Sequence, residues 1–262
     1  MKNSFYPVLN SIALIFALIM NYLAGTGAFG GRSVGDVSAM FQNPFTPAGY
    51  AFSIWGLIYL LLIGFVVHQL VAYYRFGETR EIKQTGIWMA LANVANGCWI
   101  YAWLNLHIGT SVIIIFIMLI SLIVLSVRLK LELWDAPLRI IAFVWWPITI
   151  YLGWIIVASV ANVTAFLVSI NWQGRFLSPS SWAILMIALG AIIYLLLIHY
   201  RNMREAALVG IWAFVAIAVR HWGQNPGISW AAPAISAILF SAIVRHAWKN
   251  RKTMPGARKM DL

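Results

Sequence analysis

Charge is what this sequence has least of. Only 10% of the 262 residues are charged, against 62% in the hydrophobic set, whereas soluble domains carry roughly 25% charge. Too few polar groups remain to coat a water-soluble globule, and a mean hydropathy of +0.84 marks an integral membrane protein. Acid is scarcest: Asp36, Glu78, Glu81, Glu132, Asp135, Glu205 and Asp261 are the only carboxylate side chains, and all fall outside the apolar blocks. Carriers coupled to protons or sodium generally place an ionisable group near the membrane midplane, so that class is disfavoured. All six lysines lie in loops or tails, which excludes a retinal Schiff base on a helix. The single cysteine, Cys98, excludes an internal disulfide and a multi-cysteine metal site; beside Gly97 and Trp99 it reads as a small packing residue. His68, His107, His199, His221 and His246 form no i, i+4 pair and have no partner at metal spacing, so no metal site is expected. His68, inside an apolar block, reads as a helix-packing histidine. No acid, base or nucleophile constellation occurs in the membrane, so no catalytic residue is assigned. Gly25 to Gly30 matches a dinucleotide fingerprint letter for letter, but it follows an apolar helix rather than a strand and reads as a flexible loop.

What is present is a series of apolar runs near the roughly 20 residues needed to cross a bilayer. They cover Tyr6 to Ala24, Tyr50 to Tyr74, Ile87 to Leu104, Thr110 to Ser126, Ile140 to Ile170, Trp182 to Ile198, Ala206 to Val219 and Ser229 to His246. The fifth is long enough to need tilt or a kink, and Pro147 near its start is a plausible kink site. The seventh is short, and charge decides whether it crosses. With eight crossings, one side collects fifteen basic residues: Lys2, Arg75, Arg80, Lys83, Arg128, Lys130, Arg139, Arg201, Arg204, Arg245, Lys249, Arg251, Lys252, Arg258 and Lys259. The other side holds three, Arg32, Arg175 and Arg220. The positive-inside rule then sets both termini in the cytoplasm. The expected fold is all-α, a polytopic integral membrane helical bundle of eight transmembrane helices. The basic excess reports orientation, so nucleic acid is excluded as a partner.

Fourteen tryptophans, fourteen phenylalanines and ten tyrosines are more than anchoring requires. Trp172, Trp182, Trp222, Trp230 and Trp248 fall near block ends, where amphipathic rings sit at the headgroups. Trp55, Trp99, Trp145, Trp146 and Trp154 fall in or toward the helix interiors, with Asn96 and Asn162 at similar depth. Two readings fit them: a cavity of flat aromatic faces and amides suited to a flat apolar ligand, or tight packing with asparagines bonded across helices.

The spacing of these residues carries a resemblance. The loop Asn43-Pro44-Phe45-Thr46-Pro47 leads into the second apolar run, which contains Trp55-x-x-x-Tyr59; the third contains Asn96-x-x-Trp99; the fifth contains Tyr151-x-x-Trp154 and Asn162. In order and placement these motifs resemble the tryptophan-rich sensory protein family (TspO/MBR, translocator protein). The family's Trp-Tyr and Lys-Pro elements are missing from Gly30 to Pro44, its second proline is Ala48, and Tyr50 stands where it has tryptophan. The resemblance implies a five-helix core over residues 1–172, an additional three-helix membrane segment over 173–247 and a basic cytoplasmic tail over 248–262. It further implies a cell-membrane protein of bacterial type that acts as sensor or carrier, with no obligatory cofactor. Its expected ligand is a porphyrin, haem, or a sterol-like or isoprenoid lipid. On that reading Tyr50 and Trp55 form the mouth of the site, Trp99 and Trp154 its walls, Asn96 and Asn162 its amide contacts. Tyr151 supplies a hydroxyl donor and Arg32 a cation for a carboxylate. Membrane lipid and a small apolar ligand are the expected partners, and a homodimer is allowed. Uncoupled transport of a small amphipath and a minor tetrapyrrole photodegradation activity are the alternatives.

Overall fold

The computed structural model describes residues 5–172 and 176–251; Lys2, Arg175 and the tail residues from Lys252 onward lie outside the described residues. Every regular element among those described is helical. The first half holds α1 (Tyr6–Gly25), a short α2 (Val34–Met40), a 3₁₀ turn (Gly49–Ser53), α3 (Ile54–Phe76) and a short α4 (Arg80–Thr85). Then come α5 (Trp88–Leu104), α6 (Ile108–Arg128) and α7 (Leu138–Ile140), which passes through a π-helical segment (Ile141–Trp145) into α8 (Trp146–Ser169). Helices α9 (Pro179–Arg201), α10 (Arg204–His221) and α11 (Pro226–Lys249) complete the bundle.

Six helical stretches are long and apolar enough to cross a bilayer: α1, the 3₁₀ turn with α3, α6, the α7–α8 run, α9 and α11. The chain is therefore a multi-pass integral membrane protein. The two remaining long helices, α5 with 17 residues and α10 with 18, are shorter. Both are central: α5 packs between α1 and α6, and α10 between α8, α9 and α11. A helix sheathed by protein presents little surface to lipid, so small residues such as Ala92, Ala95, Ala213 and Ala216, all buried, replace the long aliphatic side chains of the outer helices.

Local chemistry fixes several boundaries. Ser33 caps α2 by accepting from the Asp36 amide, while the Asp36 carboxylate accepts from the Ser33 amide. These hydrogen bonds hold the exposed Asp36 carboxyl below its ordinary range. The irregularity expected at Pro147 takes the form of the π segment immediately before it, since proline removes a backbone donor and displaces the preceding turn. Gly25 to Gly30 is not a loose loop. Gly27 and Gly30 adopt positive φ, and the run is tied by Ala28 N–H donating to Leu23 O and Gly31 N–H to Gly27 O, at 3.1 and 2.9 Å. Cys98 faces outward rather than into the packing.

The seam between the first five long helices and the last three runs along α8. Gly153 meets the backbone of Ala206 on α10, and its carbonyl accepts from the Tyr194 hydroxyl of α9 at 2.7 Å. At the other end, Asn202 takes a left-handed conformation that closes α9. Its amide donates to the Glu132 carbonyl at 2.6 Å, while its oxygen lies 3.0 Å from His246 Nε2 on α11.

Candidate functional site

Trp55, on the first turn of α3, is the hub of an aromatic cluster. Its ring stacks on Tyr59 at 5.6 Å and 18°, lies tilted against Trp99 at 6.1 Å, and meets Tyr151 and Trp154 edge-on at 5.9 and 6.4 Å. Trp99 stacks in turn on Trp103 at 5.7 Å, one turn along α5, and Phe52 meets Trp154 edge-on at 6.0 Å. All are within the range of favourable ring pairs. The helices α3, α5 and α8 thus deliver the tryptophans of all three sequence motifs to one place. Trp145 and Trp146 do not join them: Trp145 packs on Trp134, and Trp146 is 37% exposed.

Amides fix the rings. Asn162 accepts from Trp99 Nε1 at 2.7 Å and donates to Ser111 on α6 at 2.8 Å. Asn96 accepts from the Tyr59 hydroxyl and from Asn21 Nδ2 of α1, both at 3.0 Å. The Tyr151 hydroxyl donates to Ala92 O over a long 3.5 Å. Within the cluster two buried donors, Trp154 Nε1 and Asn96 Nδ2, find no acceptor. The cluster encloses a cavity of only about 30 Å³, walled by Phe52, Trp55, Trp99, Trp103, Trp154 and Asn162 among others, which is room on the scale of a water molecule.

Asn96 and Tyr151 join the cluster without lining the cavity, and two further expected site residues lie away from both. Tyr50 is 43% exposed and meets Trp212 of α10 edge-on at 5.2 Å, outside the cavity wall. Arg32 donates to Leu104 O at 3.4 Å, at the end of α5. Phe52, Trp103, Asn21 and Ser111 are members that the motifs did not single out. Trp103 is detectable as the i+4 neighbour of Trp99; Asn21 and Ser111 carry no spacing signal. No group of three His, Cys, Asp or Glu among the described residues is placed to hold a metal, and His68 stacks on Phe143 at 5.8 Å.

A lid covers the cluster. Val34 and Ser38 of α2 and Pro47 of the following loop complete the cavity wall. The lid is fastened by three hydrogen bonds: Trp103 Nε1 to Val34 O at 3.2 Å, Ala48 N–H to Ala216 O at 3.0 Å, and Trp212 Nε1 to Ala51 O at 3.1 Å. Two of the three reach α10, so the C-terminal helices hold down a lid that shields residues of the first five long helices.

No curated protein and no solved structure matches the chain. A family model described as TSPO-like protein matches residues 7–245, running through α9 and α10 and nearly to the end of α11. With that match added to three tryptophan motifs converging on one buried cluster, the chain belongs to the TSPO-like protein family.

Proposed function

We propose that this protein binds a planar apolar ligand, a tetrapyrrole such as porphyrin or haem or a sterol-like or isoprenoid lipid, at the Trp55 cluster, and serves as its membrane sensor or carrier. The observation that carries this reading is the pair of buried donors, Trp154 Nε1 and Asn96 Nδ2, left without acceptors among stacked rings. A buried donor without a partner costs on the order of 1–3 kcal/mol, and a ligand carbonyl, carboxylate or hydroxyl removes that cost while its ring face stacks on tryptophan. The closed cavity is far below the roughly 300–1,000 Å³ of a small-molecule site. Binding therefore requires the α2 lid to lift and Phe52, Trp55 or Trp103 to swing aside. Eight crossings with both termini in the cytoplasm fit this scheme, because they put the lid on the side opposite the basic tail.

The test is a titration of detergent-solubilised full-length protein with protoporphyrin or haem, read by tryptophan quenching and by the ligand's absorption band. Saturable binding is expected. Trp154→Ala and Asn96→Ala should each weaken it several-fold, as expected from losing about 0.5–1.5 kcal/mol of ring pairing or a hydrogen bond of similar size. Trp230→Ala and Trp248→Ala, 68% and 70% exposed, should not. Equal binding by all four variants, or no saturable binding of any tetrapyrrole or sterol, leaves the cluster as packing alone.

A further inference from the structure

A second concavity is far larger than the aromatic cavity. A groove of about 870 Å³ runs between α6 and α9, floored by α8. Its floor residues Leu152, Ile156, Val160, Val163 and Leu167 fall on one side of α8 at 3.6 residues per turn, opposite Trp154, Val157, Ala158 and Ala161, which wall the aromatic cavity. One helix therefore separates the two spaces, and the groove belongs to a different site.

Three properties define its occupant. First, the groove has no hydrogen bonds to offer along its length. Ser159 and Thr164, the hydroxyls on its floor, donate to their own helix at Ile155 O and Ala161 O, and the Asn43 side chain is spent on Phe41 O and the Phe45 amide. Second, it is long. From Leu152 to Val168 the floor extends about 24 Å at 1.5 Å per residue, most of the roughly 30 Å hydrocarbon layer, and its walls α6 and α9 are both long and apolar enough to cross a bilayer. Third, one mouth is polar and interfacial. Trp172 and Trp182, whose rings lie 5.7 Å apart, stand there at the end of α8 and the start of α9, and the exposed Gln42 of the lid loop also lines the groove. Paired tryptophans at helix ends mark the headgroup level.

We infer that the groove between α6, α8 and α9 is a binding site for one phospholipid of the surrounding bilayer, with its acyl chain along α8 and its headgroup at Gln42, Trp172 and Trp182. A rigid tetrapyrrole does not suit a slot without hydrogen-bonding partners. A flexible hydrocarbon chain does, because it needs only apolar contact below and polar contact at one end.

The experiment uses the full chain purified in detergent, washed free of bulk lipid, exposed to palmitoyl-oleoyl phosphatidylglycerol and analysed by native mass spectrometry. One phospholipid adduct that saturates is expected. The double variant Val160→Phe/Val163→Phe fills the floor and should lower retention by roughly tenfold, the scale set by losing a few buried methylene contacts. Ile113→Phe, on α6 outside the groove and 65% exposed, should retain the lipid as the parent does. Circular dichroism checks that the double variant folds. If it does not, Met186→Phe on the α9 wall replaces it and should show the same loss. Equal retention by groove and control variants overturns the site. So does displacement of the adduct by oleic acid or geranylgeraniol at equal concentration, which would assign the groove to a free single chain. A dimer lost in the groove variants and no lipid adduct would assign it to a second copy of the protein. None of these outcomes depends on porphyrin binding at the Trp55 cluster.

Discussion

The Asn162 amide spans two helix contacts at once, accepting from Trp99 and donating to Ser111. That Asn162 and Trp99 lie at similar depth was legible from the motifs, but that they bond to each other was not, because spacing names no cross-helix partner. Nor was the Asn21 contact to Asn96, since a single asparagine in α1 has no periodic partner to announce it. The burial of Glu132 was equally hidden. It lies in a polar stretch of sequence, yet its loop folds against Asn202 and the start of α10, where burial first, and then the Glu205 carboxylate, push its carboxyl up to about 8 from an ordinary 4.5, with Arg204 opposing. The folded chain thus binds this proton more tightly than the unfolded chain. The stability it contributes is complete below about 4.5 and is lost as pH rises through about 8. The melting temperature in detergent should therefore fall between about pH 4.5 and about pH 8, and Glu132→Gln should flatten that fall. An equally steep decline in the variant would place the titrating group elsewhere.

Among the elements, the long helices were readable from apolar runs because a bilayer demands them, and their observed ends differ from the runs by only a few residues. The short α2 was missed, although Ser33-x-x-Asp36 spells its capping box; seven residues in a Gly-rich connection give no apolar run to notice. Helix-to-helix contact is set at positions that composition cannot rank. A Cβ on Gly153 would stand 2.8 Å from Ala206 Cα and 2.9 Å from its carbonyl oxygen, both backbone atoms, whereas one on Gly97 would meet the side chains of Phe16 and Met20. Backbone cannot step aside and side chains can. Gly153→Ala should accordingly cost about 1–3 kcal/mol as an overpacked contact, and Gly97→Ala less, as read from thermal unfolding in the same detergent. A larger loss at Gly97 would mean that the seam between α8 and α10 is looser than its geometry indicates.

For the whole molecule, the charge distribution predicts eight crossings, and such an arrangement would make positions on opposite faces differ in access. In a Cys98-less background, single cysteines at Lys83, Arg139 and Lys252 should be protected from an impermeant thiol reagent in intact cells, while one at Arg175 should react. Reaction at Lys252 would require an odd number of crossings. The division into a core and three added helices was drawn where the short motifs ended. The family match continues past that line, and the lid crosses it, since Ala48 and Ala51 are fastened to Ala216 and Trp212. Those fasteners are 161 residues apart in the case of Ala51 and Trp212, and this has a consequence for biosynthesis. A ribosome releases α2 and its loop long before α10 exists. Between the synthesis of α8, which completes the aromatic cluster, and that of α10, the nascent chain therefore passes through a stage in which the cover is held by the Trp103–Val34 hydrogen bond without its two other fasteners. The arrival of α10 completes the latch, so a chain halted before Trp212 would hold the rings under a cover with one fastener of three.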